Sequence, residues 1–170
     1  VSHHDEDLLS FTRHLAGLRH SQPLLSANRW LTGERNEGSP ARDLIWLLHT
    51  GKEMSGDAWD DGDGLDLCYA LCGTTSVIWV VMNASKVSRS YQLPLHLDDL
   101  DLNLGRWTCE LDTTHAWDTS RHRSERAKTI KWTMKSAQRG DVGFHSHAEL
   151  ITEVKVDSKS VQVWYWTLIS

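Results

Sequence analysis

Hydrophobic and polar positions change period once along this chain, near residue 23, dividing it into a helical opening and a β-rich remainder. From Asp5 to about His20, the apolar residues Leu8, Phe11, Leu15 and Leu18 recur at spacings of three and four, which places them on one helical face. Leu9 and Ala16 widen that stripe. Asp5, Glu6 and Asp7 complement the positive N-terminal end of the helix dipole, and Arg19 and His20 complement the other end. Pro23 has no backbone N–H to donate and stops the helix. One amphipathic helix cannot bury its stripe alone, so it must dock on another surface.

Beyond Pro23 the pattern becomes short β-like runs separated by Gly, Asp, Ser and Pro clusters, the clearest being the turn-rich loop 35–40. The runs are 43–48, 65–71, 77–83, 90–93, 106–111, 129–134, 150–156 and 161–169. Residues 77–82 are apolar on both faces and predict a central strand. A turn of helix is expected over 53–59, with Ser55 at its cap position. Many strands without intervening helices predict an antiparallel β-sandwich, because a parallel sheet would need helical crossovers. The expected fold is therefore mainly β: one amphipathic α-helix, then an antiparallel β-sandwich over residues 26–170.

Composition narrows the function. The net charge of −5 and the absence of a long Lys/Arg run disfavour nucleic acid, whose binding needs clustered positive charge. The densest cationic stretch, 121–131, also holds Glu125 and reads as a solvated loop. No run approaches the ~18 apolar residues of a membrane helix. Three cysteines without scaffold spacing, and an N-terminus lacking a secretory layout, predict a protein that is not secreted.

Nine tryptophans are the sharpest oddity. Trp46, Trp79, Trp107, Trp164 and Trp166 fall in predicted strands and read as core, whereas Trp117 and Trp132 are the candidates for exposed, sugar-stacking platforms. No metal site is expected. Cys68 and Cys72 with His145 and His147 lack zinc spacing, the two cysteines lying ~13 Å apart along an extended strand. The acidic run 60–64 has Asp66 and Cys72 where a calcium loop needs Gly and Glu. Asp98-Asp99-Leu100-Asp101 reads as a surface loop, and Asn83-Ala84-Ser85 is a glycosylation sequon of little meaning without a secretory signal. No nucleophile elbow or phosphate-cradling glycine loop appears.

Several pieces, in order, resemble the end of isoamylase-type glycogen- and starch-debranching enzymes of the α-amylase superfamily. Residues 7–25 resemble that family's final barrel helix and its exit, and Arg29-Trp30-Leu31-Thr32-Gly33 the following strand and turn. Asp43-Leu44-Ile45-Trp46-Leu47, then Gly51-Lys52-Glu53-Met54 and Trp59, form the most specific match, with Thr50 where the family carries aspartate. Val80-Val81-Met82-Asn83-Ala84, Leu93-Pro94, Trp107 with Leu111-Asp112-Thr113, and Val161-Gln162-Val163 continue it, while 115–149 matches nothing.

The resemblance implies a parent glycoside hydrolase with a (β/α)8 barrel and a C-terminal β-sandwich. Residues 1–25 would then be the remnant of the barrel and 26–170 the sandwich. Because barrel enzymes hold their catalytic groups on loops after the barrel strands, this chain is expected to carry no catalytic residue and no cofactor. The expected partner is the upstream catalytic barrel of the same protein. An α-glucan is the alternative partner, with the chain then serving as a non-catalytic glucan-binding module. Exposed leucines on the helix would also permit an oligomer. The implied setting is cytoplasm or plastid.

Overall fold

The computed structural model describes residues 3–60, 64–114, 129–131 and 153–168. Helix α1 runs His3–Ser21, followed by a short helix α2, Pro23–Ser26. Pro23 ends the first helix as expected but also opens the second, standing in its first turn where a missing N–H costs nothing. Among the described residues ten strands follow: β1 Leu44–Leu47, β2 Asp66–Cys72, β3 Ser76–Asn83, β4 Arg89–Gln92, β5 His96–Leu97, β6 Leu100–Asp101, β7 Gly105–Asp112, β8 Thr129–Lys131, β9 Glu153–Val156 and β10 Ser160–Leu168. Every pairing is antiparallel.

The main sheet has the order β1-β2-β3-β10-β7-β8. Its alternation sorts side chains into two faces. On the inner face, Ile45, Ala70, Trp79, Trp164 and Cys109 form one row across the first five of its six strands. They are buried with Val77, Trp107 and Trp166 against the ribbons β4-β9 and β5-β6, which contribute Tyr91, Val154, Val156 and Leu97. That second layer makes the β-sandwich. On the outer face, Trp46, Tyr69, Val80, Val163 and Leu111 form the matching row. Helices α1 and α2 lie over it.

One irregularity sets both faces of β7. Val163 pairs with Leu111 but Trp164 pairs with Cys109, so Glu110 is the extra residue of a β-bulge. Without it, Trp107, Cys109 and Leu111 would share a face. With it, Trp107 and Cys109 enter the inner core and Leu111 joins the outer one. Gly105 starts the same strand under the Trp166 indole, where a Cβ would lie 2.1 Å from the ring.

The expected turn of helix over 53–59 is a 3₁₀ turn, Gly56–Trp59. Ser55 precedes it but makes no side-chain cap, a correction to the capping expectation; the turn closes instead through the Ala58 N–H to the Ser55 carbonyl, 3.1 Å. Asp98-Asp99 is the tight turn of the β5-β6 hairpin rather than a free loop, with Leu100–Asp101 already in strand.

Candidate interaction surface

Helix α1 docks by a narrower line than its sequence stripe suggests. Leu18 is buried against Leu71, Ile78, Val80, Leu111 and Val163, with Phe11 packed beside it. Between them His14 Nε2 lies 3.0 Å from the Glu110 carbonyl oxygen. A carbonyl only accepts, so Nε2 carries the proton and donates. The helix thus supplies a donor to the carbonyl of the bulged residue. This contact fixes the rotation of α1. Leu8, Leu9 and Leu15 consequently face away, 64%, 48% and 37% exposed. The expected single stripe of Leu8, Phe11, Leu15 and Leu18 is thus split, with Phe11 and Leu18 inward and Leu8 and Leu15 outward.

The outer face also holds an aromatic ladder. Trp46 meets Tyr69 edge-to-face at 5.4 Å between centroids and Trp59 at 5.7 Å. Trp59 is 53% exposed. Tryptophans 79, 107, 164 and 166 are core as expected, but Trp46 is only half-buried, on the face shared with the helices. The platform candidates Trp117 and Trp132 lie outside the described residues. Among the described tryptophans, Trp30 and Trp59 reach solvent and were not singled out by the sequence; their position outside the strands was the available signal.

Two charged centres shape the edge of the sheet. Arg42 binds both Glu53 carboxylate oxygens, at 2.7 and 2.8 Å, and also reaches Asp98, which accepts from the Arg42 backbone N–H at 2.8 Å. Hydrogen bonds from Arg42 hold the Glu53 carboxyl below its ordinary value. Burial pushes Asp98 upward, but the hydrogen bonds and charge of Arg42 outweigh it and leave Asp98 lowered. Arg35 pairs with Asp99. Thus the β5-β6 turn is bolted to the entry of β1. The second centre is Asp43, 1% exposed, whose carboxylate accepts from the N–H groups of Thr32 and Gly33.

The remaining motifs hold structure together. Cys68 and Cys72 are buried on the inner face, and burial pushes both thiols up to about 12, so neither is a nucleophile at neutral pH. His145 and His147 lie outside the described residues, as does part of the acidic run 60–64. Among the described residues no group of His, Cys, Asp and Glu is arranged to hold a metal ion. No described helix is long and apolar enough to cross a membrane. Asn83 is 1% exposed; its amide donates to the carbonyls of Val87, Val156 and Asp157 and its oxygen accepts from Ser85. The sequon is therefore closed to glycan attachment in the folded chain.

Comparison with known proteins bears directly on function. No protein-family model matches the chain. It is 31% identical over 118 residues, 63% of its length, to the glycogen operon protein GlgX homologs of Mycobacterium bovis and Mycobacterium tuberculosis. The likeness is to glycogen-operon proteins. The chain spans only 16% of the length of these curated relatives. Under two-thirds of the chain is thus similar to a minor part of much longer proteins.

Proposed function

We propose that this chain is the C-terminal β-sandwich of an enzyme that hydrolyses α-1,6 branch linkages in glycogen- or starch-type glucans, and that its task is to stabilise the catalytic barrel. The observation that carries this reading is the double-sided helix α1. One side is fastened to the sandwich through Phe11, His14 and Leu18, and the other presents Leu8, Leu9 and Leu15 to solvent. A helix whose apolar surface extends beyond its docked line has area left to bury against a second body. The likeness to glycogen-operon proteins supports a glycogen-type substrate class. The bacterial relatives favour a cytoplasmic setting over a plastid one.

Incubating the purified chain with a branched α-glucan tests the reading. No release of linear chains is expected, because the carboxylate pair of glycoside hydrolysis would belong to the barrel. Measurable hydrolysis by the chain alone would refute it. Determining the coding sequence that precedes Val1 is the companion experiment, with a barrel expected there.

A second reading, a non-catalytic glucan-binding module, is favoured by the half-exposed Trp59 held rigid by Trp46. Titration with a soluble glucan, followed by tryptophan fluorescence, separates the two. Saturable quenching lost in Trp59→Ala, Trp117→Ala or Trp132→Ala supports binding, and a flat response leaves the structural role.

A further inference from the structure

The segment between α2 and β1 carries a side chain that the sandwich leaves unused. Trp30 is 92% exposed and Leu31 beside it 42%. Their backbone is nevertheless held firmly. The Asp43 carboxylate accepts from Thr32 N–H at 3.2 Å and Gly33 N–H at 2.8 Å, and the Arg29 guanidinium stands 3.8 Å away on the other side of Trp30. Gly33, at φ +71°, supplies the left-handed turn that brings the second N–H round to the carboxylate. Asp43 is itself fixed to the sheet, its N–H bonded to the Glu34 carbonyl and its carbonyl to the Cys72 N–H, both at 3.0 Å.

Removing a carboxylate from water is costly unless it is paired and hydrogen-bonded. Here the buried charge grips a loop on both sides of an apolar tip. A loop whose backbone is fixed before any partner arrives loses less freedom on docking, and its tryptophan offers a large contact area. Those are the properties of an interface anchor. The loop also stands where the helices finish. Leu24 of α2 lies against the β2-β3 turn at Gly73, and Asp43 bonds the neighbouring Cys72. The aliphatic Leu31, and an Arg29 already engaged with Asp43, suit an apolar protein pocket better than sugar hydroxyls.

We propose that Trp30 anchors a second contact, beyond α1, between this sandwich and the remainder of a longer polypeptide, with Asp43 as the positioning residue. This rests on the reading of the chain as one module of a larger enzyme, and the chain's 16% share of its relatives' length leaves ample polypeptide to supply the pocket.

Hydroxyl-radical footprinting of the complete polypeptide against the isolated 170-residue chain tests it. Trp30 is expected to oxidise several-fold more slowly in the complete polypeptide, together with Leu8, Leu9 and Leu15. Because Trp30 is almost wholly exposed, Trp30→Ala should leave the sandwich folded while weakening its association in trans with the remaining polypeptide by about 30-fold, the scale of an interface hot spot. Trp30→Phe should weaken it less. Protection of the leucines with Trp30 oxidised equally fast in both samples overturns this proposal and spares the module reading. Protection of neither overturns both. Shielding of Trp30 in the isolated chain by a maltooligosaccharide assigns the side chain to carbohydrate and overturns the proposal as well.

Discussion

At Gly105 the chain has no room for a single carbon. A Cβ would meet the Trp166 indole at 2.1 Å, and Trp166 is 1% exposed, with its Nε1–H already bonded to the Leu102 carbonyl at 2.9 Å. The ring cannot swing aside without leaving that carbonyl unsatisfied. Gly105→Ala is therefore expected to destabilise by at least about 3 kcal/mol, at the upper end of overpacking costs, as a lowered urea midpoint. Asn83 is the polar counterpart. Its amide closes the turn after β3 and joins that turn to the end of β9 through Val156 and Asp157. Asn83→Ala takes this donor from the Val156 carbonyl, while the Val87 and Asp157 carbonyls keep the Ser85 and Ser160 hydroxyls, and should cost about 2 kcal/mol by the same measurement. The sequence placed Asn83 in a resemblance and in a sequon. Only the fold shows that its amide is consumed internally.

Among the elements, helix α1 docks through the His14 bond to the Glu110 carbonyl and a short apolar line. His14→Ala is expected to free the bulge carbonyl of Glu110 and destabilise the docked helix by about 1 kcal/mol, read as faster hydrogen exchange over α1. The Arg42 network predicts an acid dependence. Glu53 and Asp98 have lowered folded values, so their contribution is complete above the ordinary values of 4.5 and 3.8 and is lost as pH falls below these through the folded ones. Arg42→Met should flatten stability against pH in that acid range. Glu110 acts in the opposite sense. Burial raises it, so the folded chain holds that proton more tightly and is penalised as pH rises past 4.5 toward neutrality. Glu110→Gln is accordingly expected to raise the neutral-pH melting temperature.

For the whole molecule, the consequence is an exposed apolar ridge. Leu8, Leu9 and Leu15 on α1 should make the isolated chain self-associate in sedimentation, and Leu8→Glu with Leu15→Glu should restore a monomer without unfolding the sandwich. A monomeric wild-type chain at high concentration would count against an interface on this helix.

What the sequence determined by itself was whatever depends on local period and composition. The opening helix, the antiparallel strands, the two-faced centre at Val77–Met82 and the burial of Trp79, Trp107, Trp164 and Trp166 all follow from side chains alternating every two or every 3.6 residues. The tertiary structure decided what depends on neighbours distant in sequence. The bulge at Glu110 moves Leu111 to the outer face, and His14 at that bulge turns Leu8 and Leu15 outward. Asp43, read as the start of a strand, became the clamp of a loop eleven residues earlier. A periodic pattern states that a residue is apolar, but which surface covers it is set by the rotation and register of the partner, and those exist only once the chain has folded.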